Sequence, residues 1–481
     1  MNEKPNIVFI ILDSARADFF SCYGYDKKTT PNIDKIAKEG VLFKNAYAPS
    51  SWTGPSHTAL FTGKYWSRIK IPYVNLGLSN QEKGKIEENF FKNNFVKILN
   101  NTGYETISYT INNILMKGKI LNIFKKQEID LANKCNLYIG QNVLEKPLKI
   151  PLLKSILTLR FKKAFFYANA IFKKLIIMAS KKKANHKFLF GDRIGIKRYV
   201  KKLSSFKKPF FLFINSMGTH YEYQSKKRNF KNLGYEDYEE IYFDSRNKIG
   251  PLMYLVDENI PVSEKQVENT KKLYTASLNY VDEFVGKMYR ELQKKGLLEN
   301  TIFIIASDHG DEFYEKGIFG HAKTLNNGII RIPLIIKFPD KFNIKGPYDD
   351  LASLIDVFPS IFGLLGIKHH ETDGINLFKQ KNKIIFAEHI MRFRSKKDEL
   401  GICAINKDYK YMKMSDGSKR LFKNADFYEK NNIINKNKNI VDSFENEIKK
   451  IGLNEKCLGK TDFVMFDKSS LKKEMEGLGY L

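Results

Sequence analysis

Near the start of the chain the apolar run IVFIIL, Ile7 to Leu12, stops abruptly at Asp13. A short unbroken apolar run with a polar stop predicts a strand buried on both faces, as in a parallel sheet. The same pattern recurs in FFLFIN (Phe210–Asn215), in NTIFIIASDHGD and in IRIPLIIKFP. Other segments carry helical spacing. TTPNIDKIAKEG places Pro31 near a helix start, Ile33, Ile36 and Ala37 on one face, and Gly40 at the stop. VLFKNAYA then returns as a strand, and GPSHTALFTG follows as a short helix closed by Gly63. Residues 265–297 repeat Val267, Tyr274, Leu278, Val281, Val285, Met288 and Leu292 at helical intervals, and LASLIDVFPSIFGLLGI reads as a helix interrupted by proline. Strands alternating with helices predict an α/β fold with a large, mostly parallel central sheet flanked by helices. In such sheets ligands bind beyond the strand C-termini. Asp13, His220, Asp308 and His309 all follow such ends.

The texture changes near residue 380. GICAINKDYKYMKMSDGSKRLFKN reads as short strands split by the turn SDGS, with a polar helical tail beyond. The expected organisation is a catalytic domain over 1–380, with a helical insertion at about 110–205, and a small C-terminal subdomain with an antiparallel sheet over 381–481.

Charge adds a second theme. The 481 residues carry a formal net charge of +28, which favours anionic partners. Residues 146–191 concentrate it, with twelve Lys or Arg and no Asp or Glu. There Leu153, Leu157, Phe161, Ala164, Ala168, Phe172 and Leu175 form one helical stripe, and Lys162, Lys163, Lys173 and Lys174 are the membrane-surface candidates. The stripe fits an anionic membrane surface or packing on the core. Nucleic acid is the least supported partner, because no reader motif accompanies the charge. The four cysteines lie far apart with no CxxC pair, which fits a reducing compartment and indicates neither a zinc module nor a disulfide framework. The N-terminus shows no signal-peptide pattern, and no run of about 20 apolar residues is present. The expected location is the cytoplasm, peripheral at the inner face of the membrane. Oligomeric state is unreadable.

Three segments carry candidate chemistry. Asp13 after its strand is a hard-metal ligand or a helix cap. SDHGD puts a carboxylate and an imidazole side by side, which suits Mn²⁺ or Zn²⁺ better than Ca²⁺ or Mg²⁺. In SSWTGPSHTALFTG, Pro55 suits a first helical turn and sets Thr53 at the helix N-terminus, where negative charge is favoured. A hydroxyl there, beside a metal, is a candidate nucleophile. Of eight histidines, four fall in candidate site segments: His57 and His309 here, His220 in the polar loop after Asn215 and His321 in FGHAKT, with Lys323 close by.

PNIVFIILDSARADFFSCYGYDKKTTPNIDKIAKEGVLFKNAYAPSSWTGPSHTALFTGKY resembles the opening of the sulfatases of the alkaline phosphatase superfamily. NTIFIIASDHGDEFYEKGIFGHAKTLNNGIIRIPLIIKFP resembles their second metal motif and its sequel, and LIDVFPSIFGLLGI, DGINL and DYKYMKMSDGSKRLFKNADFYEKNNI resemble later parts. The resemblance implies an alkaline-phosphatase-like sandwich and a metal-dependent ester hydrolase or phosphotransferase. It also implies departures. The family nucleophile, a Cys or Ser oxidised to formylglycine, is matched by Thr53, and the supporting arginine by His57. The first metal motif has Asp13 followed by Ser14 where two aspartates are usual, and its arginine is matched by Arg16. Asp13, Thr53, Asp308 and His309 resemble the one-metal set of lipoteichoic acid synthase and the phosphoethanolamine transferases, which use a threonine. By this resemblance His220 and His321 are catalytic, and His57, Lys323 and Arg16 bind substrate. The expected reaction passes through a covalent phospho-threonine on a phosphate ester, a phosphodiester being favoured, carried by a glycan or lipid. Sulfate ester hydrolysis without formylglycine and an inactive anion- or membrane-binding scaffold are the alternatives.

Overall fold

A computed structural model of the chain describes residues 3–69, 90, 93–112, 114–115, 120–129, 203–245, 262–379, 383–391 and 399–453. Residues 1–128 and 196–464 form one compact unit, and 129–195 with 465–481 a second. The basic stripe, with Lys162, Lys163, Lys173 and Lys174, lies outside the described residues, and everything below concerns the first unit.

The apolar runs are the middle of an eight-stranded sheet. Its strands are β1 (Asn6–Leu12), β2 (Val41–Tyr47), β3 (Glu105–Thr110), β4 (Lys126–Ile129), β5 (Phe210–Ser216), β6 (Thr301–Ala306), β9 (Leu334–Lys337) and β10 (Gly346–Ser353). The order is β10-β2-β9-β6-β1-β5-β3-β4. β1 pairs in parallel with β5 and β6, β3 with β5, and β10 with β2; β9 runs antiparallel to β2 and β6. Every residue of β1, β5 and β6 is buried, which is why these strands lack alternation.

Each sheet face has its own core. Val8, Ile10, Leu12, Leu212, Ile214, Phe303 and Ile305 pack with the inner side of α3 (Glu264–Lys294) and with Ile33 and Ile36 of α1 (Pro31–Glu39). Ile7, Phe9, Ile11, Phe211, Phe213, Ile302 and Ile304 pack with Leu60 and Phe61 of α2 (Thr53–Thr62) and with Phe358, Ile361 and Phe362 of α4 (Val357–Leu365). The result is a helix–sheet–helix sandwich.

One expectation needs correction. LASLIDVFPSIFGLLGI is not one helix. Leu351–Ser353 close strand β10, Leu354–Asp356 make a 3₁₀ turn, and the helix begins at Val357. Pro359 therefore sits in the first turn, where no intrahelical N–H is lost, so it interrupts nothing.

Beyond these, β11 (Ile385–Met391), β12 (Glu399–Ile405), β13 (Tyr409–Met414) and β14 (Lys419–Lys423) form an antiparallel sheet. One face packs on Val441, Phe444 and Ile448 of α5 (Lys438–Lys450); the other meets Tyr47, Leu325, Ile329 and Ile330. The two-stranded ribbon β7 (Glu312–Phe313) and β8 (Phe319–Gly320) follows β6. Among the described residues no helix is long and apolar enough to cross a membrane.

Candidate active site

Register brings the chemistry together. In the parallel β5-β1-β6 block, Leu12 stands opposite Ser216 and Ile11 opposite Ala306. The residues that follow, Asp13, Met217–His220 and Ser307–His309, therefore leave the sheet at the same edge. Ser14 takes a left-handed φ of 62°, which turns the chain sharply after Asp13, and Tyr274 of α3 fixes the turn by donating to Ser14 O and accepting from Arg16 N. Gly310 makes the second turn. A Cβ there would lie 2.2 Å from Gly328 O and 2.7 Å from Arg16 Cγ, so only glycine allows this approach.

The expected ligands converge. Asp13, Asp308 and His309 are all fully buried. Their ligating atoms lie within 4.8 Å of one another. His309 Nδ1 donates to Gly310 O at 3.0 Å, which leaves the Nε2 lone pair facing the carboxylates, 3.5 Å from Asp308 Oδ2 and 3.8 Å from Asp13 Oδ1. Asp13 Oδ2 accepts from Asn112 Nδ2 at 2.8 Å and Asn215 Nδ2 at 3.1 Å. Asp308 Oδ1 accepts from the N–H of Ser14 and of His309, whereas its buried Oδ2 has no hydrogen-bond partner among the described residues. Burial, and then the charge of Asp13, push the Asp308 carboxyl well above the usual carboxylate range. Burial, and then His321, hold the His309 imidazole neutral, down to about 3.

Two facing carboxylates, one orphaned oxygen and a neutral imidazole lone pair are the chemistry of a divalent-cation site, and these residues fit one.

Thr53 opens α2 and is fully buried, with Oγ1 3.2 Å from His309 Nε2. Its neighbouring hydroxyls are committed elsewhere. Ser50 Oγ donates to Glu388 O, Ser51 Oγ is 2.8 Å from His389 Nδ1, and Ser56 Oγ donates to Asp308 O at 2.7 Å. Thr53 is the hydroxyl of SSWTGPS that meets the cluster.

His57, Arg16 and Lys323, expected to bind substrate, are held as follows. His57, one turn after Thr53, turns back along its helix, and Nδ1 donates to Thr53 O at 2.9 Å. The ring is wholly buried between Phe61 and Phe213 and neutral, burial holding it down to about 4, and its Nδ1 also lies 3.5 Å from Asp308 Oδ2. Arg16 is 1% exposed and donates to Asp18, to Glu315 and to Asp311 O, with its guanidinium against Phe19 and Phe313. Its charge is spent on holding the loop at Asp311. Lys323 Nζ donates to Phe319 O at 2.8 Å, along its own ribbon.

His220 and His321 do come to the cluster. Their ring centroids are 5.2 Å apart, and His321 lies 4.2 Å from His309. His220 Nδ1 donates to Tyr221 O, and His321 Nδ1 lies 2.6 Å from Asp311 Oδ1. Asn112, Asn215, Asp311 and Tyr223 were not expected. Asp311 alone had a signal, as a second acid in SDHGD.

The comparisons with known proteins agree with this geometry. The sulfatase family profile matches residues 5–367. The chain belongs to the sulfatase family. It is 22% identical over 411 residues to the N-acetylglucosamine-6-O-sulfatase of Bacteroides thetaiotaomicron, covering 76% of this chain and 68% of that protein. It is 23% identical over 407 residues to an arylsulfatase of Clostridium perfringens, 78% of each chain. Among solved structures, one bound to D-glucosamine-2-N,6-O-disulfate superposes with a TM-score of 0.66 at 17% identity, covering 95% of this chain and 100% of that one. The phosphonate monoester hydrolase of Agrobacterium radiobacter gives 0.63 at 15% identity, with 94% and 96% covered. This sulfatase-family protein is thus an ester hydrolase, and such enzymes are metal-dependent.

Proposed function

We propose that this protein cleaves an anionic phosphate ester, a phosphodiester by preference, through a covalent ester on Thr53. The observation that supports this most is the placement of the Thr53 hydroxyl against His309 Nε2, beside the orphaned Oδ2 of Asp308. Asp13, Asp308, His309 and Thr53 would hold one divalent cation, with Mn²⁺ or Zn²⁺ suited to the mixed oxygen and nitrogen set. Such an ion, when bound, lowers the proton affinity of a hydroxyl and offsets negative charge on the transferred group.

The chain's own residues do the rest. Thr53 Oγ, as the alkoxide, attacks phosphorus and forms the Thr53 ester as the bond to the leaving oxygen breaks. A histidine of the His220–His321 pair gives that oxygen its proton, so an alcohol departs. Water, or an acceptor alcohol, then attacks, surrenders a proton to the same imidazole and releases Thr53. The site is flanked by α2, whose N-terminus favours the anionic group. Glycan or lipid-linked esters are the proposed substrates, and the basic stretch 146–191 would bring the protein to an anionic membrane on the cytoplasmic side.

Sulfate ester hydrolysis is the second reading, favoured by the sulfatase relatives and by the disulfated sugar bound in a structure of the same fold. Protein loaded with Mn²⁺ is offered aryl phosphodiester, phosphomonoester and sulfate esters, with Thr53→Ala alongside. Diester turnover lost in the variant is expected. Sulfate turnover with an untouched diester would replace the first reading with the second, and ester turnover unchanged in the variant would remove Thr53 from either. Deleting 150–185 is expected to abolish pelleting with anionic liposomes; unchanged pelleting would refute membrane docking.

A further inference from the structure

The chain just before Thr53 is held from an unexpected side, by the C-terminal sheet. Trp52, at the N-cap of α2, offers no side-chain oxygen to the first helical N–H groups, and its backbone is fully extended, with φ −169° and ψ 168°. Residues 49–51 are pinned instead by two neighbours on β11. Glu388 N donates to Pro49 O at 3.0 Å, and Ser50 Oγ donates to Glu388 O at 2.8 Å. His389 completes the clamp, with Nδ1 2.8 Å from Ser51 Oγ. Ser51 O also accepts from Ala322 N at 3.1 Å, next to His321. Ser51 is thus tied on one side to the C-terminal sheet and on the other to the segment that carries a site histidine.

His389 is a costly pin. Its ring is fully buried, and Nε2 has no hydrogen-bond partner among the described residues. Burial holds the imidazole neutral, down to about 4. Leucine at 389 with alanine at 51 would leave no polar atom of the pair stranded, so stability alone does not call for a histidine and a serine here. What an apolar pair could not supply is the directed contact between Nδ1 and Ser51 Oγ. From this clamp we infer that His389 is a positioning residue, which acts through Ser51 to hold the Thr53 hydroxyl in line with the reacting centre. Only the extended Trp52 lies between Ser51 and Thr53, so no turn absorbs a shift at Ser51 before it reaches the nucleophile. A misplacement of about 1 Å is enough to cost about 10²-fold in rate. The inference rests on the reaction proposed above, in which Thr53 Oγ forms the covalent ester. No bond to His389 or Ser51 forms or breaks in that reaction.

The test sets rate against stability in Mn²⁺-loaded protein, on whichever aryl ester, phosphodiester or sulfate, the wild type turns over. Wild type, His389→Leu, His389→Asn and the double variant Ser51→Ala/His389→Leu are compared for kcat, KM, urea midpoint and metal content. His389→Leu is expected to lower kcat by about 10²-fold with KM little changed. His389→Asn puts an amide atom where Nδ1 stood and should restore most of that loss. The double variant removes both polar partners, so its urea midpoint should equal or exceed that of His389→Leu while kcat stays as low. It also covers the case in which His389→Leu fails to fold. Metal content should match wild type throughout, because Asp13, Asp308 and His309 are untouched. Wild-type kcat in His389→Leu, recovery of kcat together with stability in the double variant, or loss of the metal would overturn the inference. So would a folded His389→Asn as slow as His389→Leu. Thr53→Ala separates this from the reading beneath. Turnover retained in Thr53→Ala would sink that reading and this inference with it. If Thr53→Ala is inert while His389→Leu and the double variant turn over as wild type does, the reading stands and the inference falls.

Discussion

Two buried charge clusters show how differently this protein treats ionised groups. Lys410, on the C-terminal sheet, is 1% exposed, and its ammonium has three acceptors: Leu325 O at 2.7 Å, Asn327 Oδ1 at 3.0 Å and the Glu429 carboxylate. Three donors meet three acceptors, and opposite charges cancel. At the edge of the central sheet two carboxyl groups, Asp13 and Asp308, face each other, and Asp308 Oδ2 has no hydrogen-bond partner among the described residues. Both clusters are equally dry. The completed one joins β13 to the loop after β8 and does nothing else. The incomplete one is costly as it stands and becomes favourable only with a cation. Two facing carboxylates left incomplete distinguish this cluster from the one at Lys410.

That contrast can be broken in four ways. The largest effect should follow Thr53→Ala, which removes a hydroxyl from the site and nothing from the core. Turnover should fall by more than about 10³-fold, and the urea midpoint should hardly move. A large loss of stability would mean that Thr53 is scaffold. Next is Lys410→Met, which strands Glu429 in the interior. It should cost about 3–5 kcal/mol in denaturant unfolding, much of it recovered when Glu429→Leu is added, with KM unchanged. Third is the ion itself. Raising Mn²⁺ or Zn²⁺ to 100 times its dissociation constant should stabilise the wild type by about 2.7 kcal/mol. Asp308→Asn should lose that response while making the metal-free protein more stable than wild type, because an amide is neutral beside Asp13 without taking up a proton. A metal-free variant less stable than wild type would contradict the contrast.

The fourth effect concerns pH. Burial pushes Glu388 up to about 7, against hydrogen bonds from Ser67 that work the other way. A carboxyl raised in the folded state binds its proton more tightly there than in the unfolded chain. Its contribution is therefore fully present below about pH 4.5 and is lost as pH rises toward 7, by at most about 3 kcal/mol. Glu388→Gln should flatten this slope relative to wild type in thermal melts from pH 5 to 8. Parallel curves for the two proteins would show that Glu388 titrates normally.

Much of this was legible in the sequence, for identifiable reasons. β1, β5 and β6 announce themselves because both of their faces are covered, leaving no polar position. β3 (ETISYT) and β10 (GPYDDLAS) do not, because they lie toward the sheet margins and carry hydroxyls or exposed aspartates such as Asp349. Asp13, Thr53, Asp308 and His309 stand at strand ends or a helix start, where pattern and chemistry coincide. Asn112, Asn215 and Tyr223 come to the site through register and loop geometry alone, and neither amides nor tyrosines carry a spacing that marks them. Arg16, matched only through the family resemblance, pairs with Asp18 and Glu315.

The central claim is that Thr53 bears the transferred group. Rapid acid quench of the Mn²⁺-loaded protein during turnover of an aryl phosphodiester, followed by peptide mass spectrometry, addresses it directly. The account predicts a phosphate ester on the peptide containing Thr53, at Thr53, appearing within the first turnover and absent from Thr53→Ala. Steady turnover with no adduct, or an adduct on a histidine, would contradict it.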